Sequence, residues 1–132
     1  MPRILIVEDD DTFQRVYKEM LGPLVGGKGN VDIAGDYETA ISMLDRNVYD
    51  AHVLDGNFPR NSQSGAQRLG IEMANEIKGR TGTYERIVMC TGDSRMVSEA
   101  ERLGIKAVDK GRAEKLPQVV ESILQIQAKD GA

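Results

Sequence analysis

Four short apolar runs in this chain each end on side chains that can do chemistry. Arg3 to Val7 runs into Glu8, Asp9 and Asp10, and Asp50 to Leu54 ends on Asp55. Ile87 to Cys90 runs into Thr91, Gly92 and Asp93, and Ala107-Val108 leads through Asp109 to Lys110. Apolar runs of this length bounded by turn residues read as buried strands, and open α/β sheets bind their ligands outside the carboxyl ends of the strands. Taken singly, each residue has an ordinary role: an aspartate caps or turns, a threonine favours a strand or a helix start, a lysine is solvated. Acids, a hydroxyl and an ammonium, all at strand ends, make a constellation.

The segments between these runs must be what positions them. Phe13, Val16, Tyr17, Met20 and Leu21 form an apolar stripe at helical spacing, with Asp11 or Thr12 as the expected cap and Gly22-Pro23 as the stop. A glycine-rich loop over 26–30 precedes a short strand, Val31 to Ala34, and Asp36 can cap a helix carrying Ala40, Ile41 and Leu44. Tyr49 to Asp55 is the expected third strand. The polar connection Gly56 to Leu69 then exceeds the roughly two to six residues usual between strand and helix. Ile71, Met73, Ala74 and Ile77 predict a third helix ending near Gly79, followed by a fourth strand over Arg86 to Cys90. Ser94 to Leu103 reads as a fourth helix closed by Gly104, Lys106 to Val108 as a fifth strand, and Leu116 to Gln127 as a last helix. Its inner face carries Leu116, Val119, Val120, Ile123 and Ile126, with Pro117 in the first turn, where a missing N–H is no loss.

Five strands alternating with five helices imply right-handed crossovers and a parallel sheet covered on both faces. The predicted architecture is a doubly wound, flavodoxin-like α/β domain with strand order 2-1-3-4-5, spanning residues 1–132. In that order strands one and three are neighbours, so Glu8, Asp9 and Asp55 converge in one crevice, with Thr91 and Lys110 flanking it.

Composition narrows the function. The chain has 17 basic and 21 acidic residues, a net charge of -4 and no Lys/Arg block, so nucleic acid is not an expected partner. Ile4 to Val7 is too short for a signal peptide and no stretch is long enough to span a bilayer, so no membrane association is expected. The single cysteine, Cys90, cannot form an internal disulfide and sits among apolar neighbours; a reducing cytoplasm is the expected setting.

Three carboxylates in one crevice repel one another unless a cation joins them. Magnesium, or manganese in its place, prefers octahedral oxygen coordination and takes one or two carboxylates, which suits Asp9 and Asp55 as direct ligands with Glu8 acting through water. The alternatives are a protonated acid or neutralisation by Lys110. The acids also exclude the glycine-cradled phosphate site that nucleotide-binding relatives of this architecture carry after the first strand. With metal present, Asp55 becomes a candidate nucleophile toward a phosphoryl group, Lys110 and the metal would balance charge on its oxygens, and Thr91 could donate its hydroxyl to one of them.

On these residues the chain resembles a response-regulator receiver domain of two-component signalling, over essentially its whole length. Arg3 to Asp10 is similar to the family's first-strand motif, Tyr49 to Asp55 to its phosphoacceptor strand, Pro59 to the proline a few residues on, Thr91-Gly92 to its hydroxyl-plus-small-residue pair, and Lys110 to its lysine. The resemblance implies that Asp55 accepts phosphate from a histidine kinase or histidine phosphotransfer protein. It also implies that Asp9, Asp55, Glu8 and the backbone carbonyl of Asn57 hold magnesium, and that Thr91 and Lys110 bind the phosphoryl group. Such a chain is a phosphoacceptor rather than an enzyme with a separate substrate; it is expected to be a monomer or weak homodimer that signals through protein contacts. A degenerate receiver acting as a constitutive binding module is the alternative. A phosphoester hydrolase fits less well, because Asn57 stands where a common phosphatase motif carries a second Asp.

Three features depart from the family pattern. Ala107 stands where receivers usually have a switching Tyr or Phe, so the signal leaves either through another surface or through the loop after Thr91. Gly111 follows Lys110 where the family has a proline, usually preceded by a cis bond, which loosens the placement of the ammonium. Residues 60–69 look inserted, as an idle loop or as a docking or covering one, whereas the span from Thr91 to Lys110 is short, which predicts a truncated fourth helix or fifth strand. Asn57 and Asp93 flank the position from which water would attack an acyl phosphate, and polar groups there admit and orient it. Replacing both with bulkier apolar residues is expected to lengthen the life of a phosphoaspartate, measured as loss of label over time; an unchanged decay rate would contradict this.

Overall fold

The computed structural model describes the backbone of residues 2–130 and the side chains of residues 2–126. Five strands form one parallel sheet: β1 (Ile4–Val7), β2 (Val31–Ala34), β3 (Ala51–Leu54), β6 (Ile87–Thr91) and β7 (Lys106–Asp109). Their order is β2-β1-β3-β6-β7, the expected 2-1-3-4-5 arrangement of the five sheet strands. The helices are α1 (Asp11–Leu21), α2 (Tyr37–Arg46), α3 (Gly70–Thr81), α4 (Ser94–Arg102) and α5 (Leu116–Asp130).

Alternation along the strands divides the core in two. Ile4 and Ile6 of β1, Val53 of β3, and Val88 and Cys90 of β6 pack with Tyr17 and Leu21 of α1 and with Leu116, Val120 and Ile123 of α5. Leu5, Val7, Leu54, Ile87 and Met89 point the other way, onto Ala40 of α2, Met73, Ala74 and Ile77 of α3, and Met96 and Ala100 of α4. A sheet buried on both faces needs such continuous apolar strands, and β1 and β3 are buried at every position. Val16, which falls within the expected stripe of α1, is instead 41% exposed.

Several boundaries differ from the sequence expectations. The cap of α1 is Asp10 and not Asp11 or Thr12: its Oδ1 accepts from the N–H groups of Thr12 at 2.8 Å and Phe13 at 3.2 Å. Asp36 caps α2 as expected, accepting from Thr39 N at 2.7 Å. Gly22-Pro23 open a 3-10 turn (Gly22–Val25), and a second (Lys28–Asn30) occupies part of the expected glycine-rich loop. Helix α3 passes through Gly79 and stops at Gly82, whose φ of 84° is the left-handed conformation that ends helices. The third strand is shorter than its apolar run, because Tyr49 and Asp50 precede the ladder and Asp55 follows it. Of the two elements expected to be truncated, α4 is short at 9 residues, whereas β7 has 4 residues, as does β1.

The polar connection after Asp55 is not structureless. It folds into a small antiparallel hairpin, β4 (Phe58–Pro59) and β5 (Ala66–Gln67), with Phe58 and Leu69 buried at its ends. Arg60 fixes one side. Its carbonyl accepts from Glu38 N at 3.0 Å, its guanidinium lies 4.9 Å from the Tyr37 ring centroid, and it pairs with Glu72 at 2.8 Å.

Two further buried groups lie on the sheet strands, Cys90 next to Thr91 on β6 and His52 on β3. Cys90 is buried, with its Sγ 3.3 Å from Tyr17 Oη, and burial pushes the thiol above its usual range, as expected of an inert cysteine. His52, at 1% exposure, shares a 2.9 Å hydrogen bond between its Nδ1 and the Arg86 carbonyl, and burial lowers its pKa from 6.5 to about 4. A histidine buried neutral binds its proton in the unfolded chain first, so its contribution is full above pH 6.5 and is lost as pH falls toward 4. Stability is expected to fall by roughly 3 kcal/mol more across that window in the wild type than in His52→Asn, which keeps a donor but cannot ionise. Urea midpoints at several pH values measure the difference; parallel curves would contradict it.

Candidate functional site

The parallel register brings the acids together. Val7 of β1 is paired with Leu54 of β3, so Glu8 and Asp55 are the next residues on adjacent strands, and Asp55 N donates to the Val7 carbonyl at 2.9 Å. Glu8 N donates to Ala34 O on the other side at 3.0 Å. One carboxylate oxygen from each of Glu8, Asp9 and Asp55 lies within 4.8 Å of the other two. Glu8 and Asp55 are buried, at 1% and 8% exposure, while Asp9 opens the cluster to solvent.

Lys110 comes from beyond β7 and reaches both buried acids. Its Nζ is 2.6 Å from Glu8 Oε1 and 3.0 Å from Asp55 Oδ2. The looser glycine behind it does not displace the ammonium, because Asp109 Oδ1 accepts from Gly111 N at 2.7 Å and fixes the turn. The Phe13 ring adds a cation–π contact, its centroid 4.3 Å from Nζ. Burial alone would lower the pKa of Lys110, but Glu8 and Asp55 outweigh it and hold the group above its ordinary value, so it stays charged.

The ammonium does not finish the neutralisation. When all are ionised, three carboxylates against one ammonium leave two negative charges. Burial is the main influence that pushes Glu8 up to about 7; the nearby Asp55 charge adds to it, and Lys110 and the Asp10 N–H oppose it. Glu8 Oε1 is buried with no hydrogen bond of proper geometry, although the ammonium is in contact. An under-satisfied carboxylate oxygen among hard oxygen donors fits a hard divalent cation such as magnesium. Of the three sequence readings, neutralisation by Lys110 and by a metal are therefore compatible, and the upward push on Glu8 is in the direction of the third, a protonated acid.

Asp55 itself is held from two directions. Its Oδ1 accepts from Gly56 N at 2.7 Å and its Oδ2 from Lys110. Behind it the packing is tight: a Cβ on Gly70 would stand 2.8 Å from the Asp55 carbonyl, and one on Gly56 would stand 2.9 Å from Thr91 Oγ1. Thr91, buried at the end of β6, uses its hydroxyl to accept from Asp93 N at 3.2 Å. Asn57 is half-buried, with its Nδ2 3.5 Å from Asp93 Oδ2.

Residues 4–120 match the sequence model of the family described as response regulator receiver domain. The chain belongs to that family. Among solved structures, the receiver domain is similar to the response regulator TrrA from Thermotoga maritima in complex with Mg(2+)-BeF, at 26% identity over 94% of this chain and 100% of that one, with TM-score 0.70. A CheY-like response regulator receiver domain protein from Methanospirillum hungatei JF-1 matches at 21% identity over 98% of each chain, TM-score 0.75. The signal receiver domain of an HD domain-containing protein from Pseudomonas fluorescens Pf-5 matches at 19% identity over 98% of this chain and 90% of that one, TM-score 0.76. No curated protein matches the chain. Among the described residues, no helix of the receiver domain is long and apolar enough to cross a membrane.

Every side chain expected at the strand ends is drawn to one edge of this receiver domain, with Asp10, Asp93 and Asp109 also engaged as caps. The sequence reading missed the two glycines as packing determinants, Phe13 as a partner of Lys110, and Arg68, which pairs with Asp93. One signal was legible: α3 opens on Gly70, a poor helix former, and its capping position holds Leu69, which makes no side-chain cap, where Ser, Thr, Asp or Asn would be usual.

Proposed function

We propose that this receiver domain is a magnesium-dependent phosphoacceptor, with Asp55 as the acceptor. The observation that carries the reading is the ion cluster: a buried aspartate held by one ammonium and one N–H, among acids whose charge that ammonium only partly offsets. Glu8, Asp9, Asp55 and the backbone carbonyl of Asn57 would hold the divalent ion. When bound, magnesium supplies positive charge against the oxygens of an arriving phosphoryl group, which the bare cluster would repel.

The remaining work falls to the chain's own groups. The Gly56 N–H and Lys110 hold the Asp55 carboxylate in one orientation, so one of its oxygens can attack phosphorus in line with the leaving group. As the bond to the donor breaks, its electron pair leaves with the donor. Lys110, already between Asp55 and Glu8, lies next to the oxygens on which charge spreads, and Thr91 can turn its hydroxyl toward them because the Asp93 N–H occupies only its acceptor side. The donor expected for such a site is a phosphohistidine on a histidine kinase or histidine phosphotransfer protein. Membership of the receiver family supports that class of partner.

A constitutive binding module remains the second reading because of Ala107, which is part-buried against Met89 and has no rotamer with which to report phosphorylation. Labelling with acetyl [32P]phosphate in the presence of Mg2+ separates the two. Wild-type protein is expected to acquire acid-stable, alkali-labile label that EDTA prevents and Asp55→Asn abolishes. Label that persists in Asp55→Asn, or wild type that takes none, would remove Asp55 from the role.

A further inference from the structure

The hairpin segment after Asp55 delivers a second cation to the edge of the site. Arg68 follows β5, and its Nε is 3.5 Å from Asp93 Oδ2 while its Nη2 is 3.3 Å from Glu99 Oε1 on α4. Building on the phosphoacceptor reading of Asp55, we propose that Arg68 is a positioning residue that prolongs the life of the aspartyl phosphate by holding the free oxygen of Asp93 away from the attacking water.

The two oxygens of Asp93 have different duties. Oδ1 caps α4, accepting from the N–H groups of Arg95 at 3.0 Å and Met96 at 3.3 Å. Oδ2 is left over and faces Asn57 Nδ2 and Arg68. Asp93 also sits in the same turn as Thr91, since its N–H donates to Thr91 Oγ1. An oxygen with a spare lone pair beside the phosphoryl position accepts a proton of water in a hydrogen bond and turns the water's own lone pair toward phosphorus. A guanidinium on that oxygen competes with the water.

Arg68 can do this because its base does not move freely. Phe58 and Leu69 are buried at the two ends of the hairpin segment, and Arg60 is fixed to Tyr37, Glu38 and Glu72. Partial burial pushes the Asp93 carboxyl up, yet the Met96 N–H, Asn57, the Arg95 N–H and Arg68 outweigh it and hold it below the usual range, which agrees with an ionised and engaged oxygen.

Hydrolysis needs no further reactant. Water adds to phosphorus, the bond from phosphorus to the Asp55 oxygen breaks with its electron pair returning to the carboxylate, and both protons of the water leave with dihydrogen phosphate. The doubly charged acyl phosphate becomes one carboxylate and one singly charged phosphate. Asp93 only orients, and Arg68 acts through Asp93.

The test follows decay of 32P label on the full chain after removal of acetyl phosphate, in Mg2+. Arg68→Ala is expected to lose label roughly three- to fivefold faster than wild type, the scale of a part-exposed ion pair acting on a rate. Arg68→Lys, which can reach one acid but not both, is expected to fall between them. In an Asp93→Ala background, Arg68→Ala is expected to change nothing, an outcome that simple loosening of the hairpin would not give. Unchanged or slower decay in Arg68→Ala, or equal acceleration with Asp93 already gone, overturns the proposal alone. Wild type that takes up no label overturns it together with the reading of Asp55.

Discussion

In a parallel sheet all strands end at the same edge, and here that edge gathers acids faster than it gathers cations. Pairing of Val7 with Leu54 leaves no choice about it: the next residue on each strand is a carboxylate, and the two are neighbours. Like charges at such distance in a half-desolvated crevice oppose folding of the very strands that carry them. Lys110 relieves part of the repulsion, and the remaining imbalance makes the site a trap for a divalent ion and, through it, for a phosphoryl group.

The surroundings hold that charge cluster with little slack. Gly56 and Gly70 let the backbone after β3 pass so close to Thr91, Met96 and the start of α3 that a methyl group on either would collide with a neighbour. Displacement of Asp55 or Thr91 is therefore felt by α3 and α4. In receivers with a bulky aromatic at the position of Ala107 another route exists; here the hairpin, joined to α4 through Arg68 and to α2 through Arg60, offers a mechanical connection across the same side of the sheet.

How much of this the sequence disclosed depends on whether the signal was periodic. Strand runs, helical stripes and their order are periodic, so the sheet topology and the convergence of Glu8, Asp9, Asp55, Thr91 and Lys110 followed from them. Local competition among equivalent residues was less legible: Asp10, Asp11 and Thr12 could each cap α1, and only the path of the backbone out of β1 selects Asp10. Gly79 and Gly82 compete likewise, and the left-handed φ at Gly82 decides the end of α3. The hairpin strands are two residues each, too short for any period, and one begins Phe-Pro, which argues against a strand when read alone. Arg68 meets Glu99 across 31 positions through a segment with no sequence signature, so the contact could emerge only in three dimensions.

The central physical claim is that excess negative charge at Glu8, Asp9 and Asp55 is completed by a divalent cation. Calorimetric titration of the purified protein with Mg2+ addresses it most directly. A saturable uptake of one ion at millimolar concentrations or below, weakened in Asp9→Asn, is the expected result. No uptake of Mg2+ or Mn2+ in that range would contradict the metal site and, with it, covalent phosphorus on Asp55.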